Sequence, residues 1–370
     1  MARHLTVVAA PDFSPGHLRA ALDGTAPLAV LPAGPPAAVD AALVALRPEM
    51  PLEPGADLVV VTSGSTGGSR AVLLSASALR ASATAALNRI GGPGHWLLAL
   101  PVSAVGGLQV VCRSVLAGSE PTVLARDEPL SAAVARMPAG RRYTSLVPTQ
   151  LRRFLAREPE ILRAFDAILV GGAATDADLL ARAGDEGVRV VTTYGMTETA
   201  GGCVYDGEPL DGVRVRVTDG VELAGPTLAL GYRLDPDGTA EAFVGGWFRT
   251  RDAGELSGGR LTVTGRLDDV VVTGGVNVAP AAVEAALRAH ADVADAVVFG
   301  RPDEEWGQRV VAAVVPAPGA VPTLDVLRPW VTGRLGGPAA PRELHTIAVV
   351  PTLHTGKPDR RAVAALTSEV

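Results

Sequence analysis

Leu58-Val59-Val60-Val61-Thr62-Ser63-Gly64-Ser65-Thr66-Gly67-Gly68-Ser69-Arg70 is an apolar run that gives way abruptly to glycines and hydroxyls. Consecutive apolar, largely β-branched residues from Leu58 to Thr62 read as a buried strand. The loop after it has what a phosphate needs: glycines that let the backbone approach closely, and hydroxyl and N–H donors. It is not a Walker A loop, because no Gly-Lys-Ser/Thr ends it. A flexible polar turn is the other reading of the same residues.

Outward from this loop, apolar runs alternate with helical stretches, the pattern of an α/β protein. Helices are expected at 76–88, 107–116, 149–157 and 176–183, and strands at 96–100, 122–124, 167–170 and 188–193. From Val213 to Leu261 the helices stop, and short strands at 213–217, 227–231 and 260–263 suggest a small β subdomain. After Gly265-Arg266-Leu267-Asp268-Asp269 come strands at 270–273, 296–299, 310–315 and 347–350 and helices at 281–290, 324–335 and 360–366. That is enough chain for a second core. The expected fold is a large N-terminal α/β domain with a small β subdomain over 1–265, followed by a small mobile α+β domain over 266–370. Residues 1–50, rich in Ala and Pro, show no clear pattern.

Composition narrows the function. The 370 residues are 48% apolar and 19% charged, as in a globular protein. The 42 glycines and 29 prolines follow no period, which excludes collagen-like and repeat architectures. A net charge of -6 argues against nucleic acid or an anionic membrane surface as partner. Cys112 and Cys203 lie far apart, and the six histidines form no HExxH pattern, so no zinc site is visible and a reduced cytoplasm is expected. Pro11 and Asp12 interrupt the first apolar run too early for a signal peptide. The longest apolar stretch, Trp96 to Leu116, carries Pro101, Ser103, Gly106, Gly107, Gln109 and Arg113, so it reads as core and not as a membrane insertion.

Of 33 basic residues only Lys357 is lysine, in His354-Thr355-Gly356-Lys357-Pro358-Asp359-Arg360. A lysine kept in a chain so biased toward arginine suggests chemistry needing a compact, mobile charge; chance survival on a solvated loop is the alternative. Thr193-Tyr194-Gly195-Met196-Thr197-Glu198-Thr199 also follows a strand. Tyr194 offers a ring face for a base, Thr197 a hydroxyl for phosphate and Glu198 a hard oxygen for Mg²⁺. A strand-end turn around a buried tyrosine fits equally. Gly171-Gly172 ends the preceding strand, where open α/β sheets place ligands.

Thr62 to Arg70, Tyr194 to Thr199, Gly225-Pro226 to Gly231-Tyr232, Trp247-Phe248-Arg249-Thr250-Arg251-Asp252, Gly265 to Asp269 and Gly356 to Arg360 form six ordered blocks from residue 62 to 360. In that order they resemble the acyl-adenylate-forming superfamily: acyl-CoA synthetases, luciferases and peptide-synthetase adenylation domains. The resemblance implies ATP, Mg²⁺ and CoA as reactants and cofactor. Thr62, Ser63, Gly64, Ser65, Thr66 and Gly67 would hold the β- and γ-phosphates, with Arg70 ending the loop. Gly171, Gly172, Ala173, Tyr194, Gly195 and Met196 would frame the nucleotide. Asp252 would take the ribose hydroxyls with Arg266 nearby, Thr197 would touch the α-phosphate and Glu198 would bind the metal. Lys357 would bridge the attacking carboxylate and the α-phosphate. Asp268 would be the hinge, and Gly274 and Gly275 would line the path of the thiol.

Within the superfamily, the short chain, Tyr143 to Leu151 and Gly201 to Gly207 look like the o-succinylbenzoate–CoA ligases of menaquinone biosynthesis. Ser103, Gly107, Gln109, Thr149 and Thr199 are the acyl-pocket candidates. Three positions depart from the family pattern: Arg70 replaces a lysine, Arg251 replaces a glycine, and no histidine stands near Ala104. An enzyme loading another aromatic or amino acid onto CoA or a carrier thiol, and a non-catalytic nucleotide sensor, are the competing readings. Relatives are often dimers, which leaves a homodimer open.

Overall fold

The computed structural model describes residues 3–63, 69–351 and 358–367. Contacts divide the chain into two compact units, one of residues 1–216, 222–250 and 257–261, the other of 217–221, 251–256 and 262–370.

The first unit contains two larger sheets. In one, Thr6–Ala9, Leu28–Leu31 and Leu58–Ser63 run parallel, and Ser69–Leu74 and Gly231–Tyr232 continue the sheet antiparallel. The N-terminal segment is therefore ordered α/β structure, with helices Pro15–Leu22 and Pro36–Leu46. Pro15 and Pro36 stand at the first positions of these helices, where a missing N–H costs nothing. Ala29, Leu46, Val59 and Leu73 share its core.

The other sheet has the spatial order 208–209, 201–205, 190–196, 167–170, 142–146, 95–98 and 122–123. Its five central and edge strands from Val190–Met196 to Thr122–Val123 are parallel. The chain moves outward from His95–Leu98 to Thr122–Val123, then returns to Arg142–Leu146 on the opposite side. The order thus reverses between His95–Leu98 and Arg142–Leu146, and the carboxyl ends on either side of such a reversal are where open α/β sheets place ligands. Leu97, Leu146, Ile168 and Val170 pack on one face against Leu130, Leu151, Phe154 and Leu179. The region expected to be free of helix contains one, Pro236–Ala242, N-capped by Asp235, whose carboxylate accepts from the Gly238 N–H. Residues 227–230 form no strand; the strands there are Val221–Ala224 and Gly231–Tyr232.

In the second unit, Val293–Asp303 and Gly307–Pro316 form a long antiparallel pair over ten registered positions. Helices Pro280–Arg288 and Leu324–Leu335 contribute Val283, Leu287, Leu327 and Val331 to its core, and Val363 of Arg360–Leu366 packs with Val297 and Ala313 in a second cluster. The last strand is Glu343–Thr346 rather than 347–350.

Candidate functional site

Within the first unit, Leu58–Ser63 and Ser69–Leu74 pair antiparallel with Thr62 opposite Arg70 and Ser63 opposite Ser69. The Thr62 hydroxyl donates to the Arg70 carbonyl at 3.3 Å. Gly64, Ser65, Thr66 and Gly67 lie outside the described residues. Arg70 directs its guanidinium over the Tyr232 ring, 4.4 Å from the centroid. The Tyr232 hydroxyl in turn donates to Glu198 Oε1 at 3.1 Å. Burial, reinforced by the Glu198 charge, pushes the Tyr232 phenol up to about 12. It therefore stays a donor across the physiological range.

Glu198 is presented by a tight turn. Gly195 is required just before it, because a Cβ there would fall 2.3 Å from the Gly201 carbonyl oxygen on the adjacent strand. Thr199 accepts from the Met196 N–H at 3.0 Å and donates to the Gly201 carbonyl at 2.8 Å. Its fully buried hydroxyl thus organises the turn. Thr197 is buried as well, and the Glu198 carbonyl accepts from the Ala229 N–H at 2.8 Å. Among the described residues no three His, Cys, Asp or Glu side chains gather into a metal cage. One carboxylate suits Mg²⁺ held jointly with the oxygens of a bound phosphate, since Mg²⁺ keeps waters and seldom needs an all-protein site.

Gly171, Gly172 and Ala173 follow the Ala167–Val170 strand, and Tyr194 lies on the neighbouring parallel strand, two residues beyond the register pair Val170 and Thr192. A side chain at Gly171 would meet Thr193 Oγ1 at 2.2 Å, and Gly172 has φ of +82°. Small residues here leave the carboxyl ends of these strands open. Ser103 and Thr149 sit in segments after His95–Leu98 and Arg142–Leu146, at the order reversal. Gln150 ties those segments, donating to the Ala99 carbonyl at 2.8 Å and accepting from the Val147 N–H at 3.0 Å. Thr149 is exposed at the start of its helix, and Ser103 is buried. Gly107 must be glycine, as its Cβ would sit 2.1 Å from the Pro101 carbonyl oxygen.

Gln109 is buried against the motif turn, donating to the Ala200 carbonyl at 2.7 Å, while its Oε1 has no hydrogen-bond partner among the described residues. One turn on stands Arg113, which the sequence reading passed over as a site residue. It is 5% exposed, and its guanidinium lies 4.2 Å from the Trp96 ring centroid. Its Nε donates to the Gln109 carbonyl at 2.9 Å, and its Nη1 is buried and unpartnered among the described residues. Desolvation holds its pKa below the usual value. Trp96 Nε1, Tyr143 Oη and Ser145 Oγ are likewise buried without partners among the described residues. The signal was a cation four residues after a glutamine within an apolar helix, which puts both on one face.

In the second unit, Asp252 is buried with Oδ1 3.4 Å from Arg266 Nη1. Arg266 forks onto Asp268 through two hydrogen bonds of 2.9 Å. Burial works against the Arg266 charge, but Asp268, Asp252 and Asp269 outweigh it and hold the guanidinium more firmly protonated than usual. Gly274 and Gly275 form the two-residue turn between Val271–Thr273 and Val276–Val278, with φ of +56° and +77°. That double positive φ suits a hairpin turn of glycines, and a Cβ at Gly274 would press within 2.8 Å of the Trp306 ring. Lys357 lies outside the described residues.

Against this geometry, the comparisons with known proteins agree. A family model described as AMP-binding enzyme matches residues 12–229, and one described as AMP-binding enzyme C-terminal domain matches 282–357. The chain belongs to the AMP-binding enzyme family. Within it, a probable 2-succinylbenzoate–CoA ligase of Mycobacterium tuberculosis is 48% identical over 336 residues, covering 87% of each chain. The 2-succinylbenzoate–CoA ligase of Salmonella typhimurium is 38% identical over 290 residues, 75% of this chain and 61% of the relative. Among solved structures, a variant of E. coli MenE with bound OSB-AMS superposes with a TM-score of 0.81 at 26% identity, covering 99% of this chain and 88% of that one.

Proposed function

We propose that the protein is an AMP-forming 2-succinylbenzoate–CoA ligase acting in menaquinone biosynthesis. The observation that carries the substrate class is Arg113: a buried guanidinium with an unpartnered Nη1, one turn from a glutamine seated on the motif turn. A buried cation without an anion is costly unless a ligand supplies one. The substrate is a diacid, so one carboxylate can pair with Arg113 while the other reacts. Gln109 Oε1 and the hydroxyls of Ser103 and Thr149 add polar contacts.

In the first half-reaction the free carboxylate attacks the α-phosphorus of ATP, the acyl-O–P bond forms and pyrophosphate leaves with the electrons of the broken P–O bond. Thr62 to Gly67 and Arg70 bind the β- and γ-phosphates, Gly171 to Ala173 and Tyr194 to Met196 frame the base, and Asp252 with Arg266 takes the ribose. Mg²⁺, when bound, neutralises phosphate charge. Glu198 is its protein ligand, and Thr197 donates to the α-phosphate. Lys357 balances charge between the carboxylate and the α-phosphate, a stabilisation aimed where charge moves. In the second half-reaction the CoA thiolate attacks the acyl carbonyl and AMP leaves. Residues 1–265 would hold ATP and acid, and residues 266–370 would turn about Asp268 to bring Gly274 and Gly275 to the thiol. A cytoplasmic setting fits two buried free cysteines. No helix among the described residues is long and apolar enough to cross a membrane.

Pyrophosphate release from ATP and Mg²⁺ tests the reading directly, with o-succinylbenzoate, benzoate, salicylate, medium-chain fatty acids and amino acids, each with and without CoA. Turnover should be strongest with o-succinylbenzoate and complete only with CoA; preference for a monoacid would overturn the substrate. Lys357→Ala should lower pyrophosphate release by roughly 10²-fold or more and largely spare thioester formation from preformed adenylate. Equal loss in both halves would overturn its role.

A further inference from the structure

Three observations converge on Tyr232. Its hydroxyl donates to Glu198 Oε1 at 3.1 Å. Its ring face carries the Arg70 guanidinium at 4.4 Å. Its backbone is locked on both sides: it pairs with Val72 on the strand that carries Arg70, and its N–H donates to Thr239 Oγ1 at 2.9 Å. The side chain is 5% exposed and packs edge-on against Phe243 with ring centroids 5.8 Å apart. One rigid aromatic residue therefore touches both the carboxylate of the Thr197–Thr199 turn and the cation that closes the Thr62–Arg70 hairpin. Those groups are 128 residues apart in sequence and come from separate motifs.

We infer that Tyr232 is a positioning residue that fixes the metal-binding carboxylate Glu198 and the phosphate-binding cation Arg70 at one spacing. The inference rests on the roles proposed above for those two groups. Hydrogen bonding to Oε1 restrains the carboxylate plane, an arrangement typical of groups that orient a metal ligand from behind. The ring face favours a planar guanidinium over an ammonium, because only the former can stack as well as attract. Arg70 and Tyr232 thus form a matched pair, and the arginine at a position where the superfamily usually carries lysine has a physical use.

Three substitutions separate the parts. Tyr232→Phe keeps the ring and removes the donor, Arg70→Lys keeps the charge and removes the plane, and Tyr232→Leu removes both contacts. Mn²⁺ binding to the protein with α,β-methylene-ATP, read by the EPR signal of free Mn²⁺, reports on the Glu198 side without turnover. Tyr232→Phe should weaken Mn²⁺ binding and raise the Mg²⁺ requirement of pyrophosphate release roughly tenfold, the scale of one hydrogen bond to a charged group. It should leave the KM for ATP at saturating metal within about twofold, and thioester formation from preformed adenylate unchanged. Arg70→Lys should show the reverse split, with KM for ATP raised severalfold and the metal requirement unmoved. Tyr232→Leu should show both.

Uniform loss in both readouts from Tyr232→Phe, tracking a fall in Tm, would make Tyr232 a packing residue and overturn the inference. Glu198→Gln, run alongside, separates the two levels of the argument. If it abolishes Mn²⁺ binding while Tyr232→Phe has no effect, only the inference fails. If Glu198→Gln itself leaves Mn²⁺ binding intact, the metal role proposed for Glu198 fails first.

Discussion

Two buried arginines in the first unit have opposite surroundings. The Arg233 side chain is fully enclosed and surrounded by acceptors: it donates to the carbonyls of Leu46, Arg47, Met50 and Pro51 and pairs with Glu53 at 2.7 Å. Every direction of its planar fork is met. Arg113 has one carbonyl, one aromatic face and an unpartnered Nη1 among the described residues. The first arginine is completed by its own chain. Among the described residues, the second meets no carboxylate. A buried cation whose partners all belong to the fold holds the fold together, while one left short of an anion marks a place for a ligand.

Replacing each by methionine should break the comparison cleanly. Arg233→Met strands four carbonyls and a carboxylate around the 46–53 segment, and should lower the unfolding free energy by about 3–5 kcal/mol in a urea titration. A loss below about 1 kcal/mol would remove its claim to hold that segment. The KM for the acid in whatever enzyme folds should be unchanged.

Arg113→Met removes a desolvated charge that no other described residue neutralises. Its stability should stay within about 1 kcal/mol of the parent or rise, as replacements of buried charge by packed apolar groups often do. The kcat/KM for the diacid should fall roughly 10²-fold, the scale of losing one member of a buried charge pair, while turnover of a monoacid such as benzoate should change little. Equal losses for diacid and monoacid would make Arg113 a structural residue like Arg233.

The contrast also explains what could be read from the sequence. Gly195 and Gly107 were legible because each is forced by a backbone contact under 2.5 Å, and Gly171 because a Cβ would meet the Thr193 hydroxyl at 2.2 Å; such local demands surface as motifs. The two-layer α/β pattern was legible where strands are apolar throughout, as in Ala167–Val170. Ser69–Leu74 was not, since it opens on the polar, exposed Ser69 and Arg70. Glu343–Thr346 was missed in favour of the apolar run after it because its side chains are ionic: Glu343 accepts from Arg301, from Arg309 at 2.7 Å and from His345 at 2.6 Å. Desolvation pushes against the Glu343 charge, and the His345 hydrogen bond with the Arg301 and Arg309 charges outweighs it, holding the carboxyl below its usual range. Arg113 was visible as a charge in an apolar helix, but its lack of a partner exists only in three dimensions. The same holds for Tyr232, whose two contacts join distant motifs.

The smallest effect is the difference that each arginine makes to the alkaline slope of stability. Burial drives the Cys112 and Cys203 thiols up to about 12 from an ordinary 9.0, and burial likewise raises the Tyr205 phenol. Arg113 pulls the Cys112 and Tyr205 values back in part through its charge. For groups whose folded pKa is raised, the contribution to stability is fully present below the unfolded value and is lost as pH climbs toward the folded one. Thermal stability should therefore be flat from pH 7 to about 9 and decline between 9 and 12, by about 1 kcal/mol per thiol per pH unit. Cys112→Ala with Cys203→Ala should flatten that decline relative to its own value at pH 7. Arg113→Met should steepen it slightly, because the thiol and phenol lose the nearby positive charge that favours their ionised forms. Arg233→Met, whose lost partners are carbonyls and a carboxylate, should shift the whole curve downward with its alkaline slope unchanged. Parallel alkaline slopes for the two methionine variants would mean that the Arg113 charge is not felt by Cys112 and Tyr205, and would weaken the case that it waits for an anion.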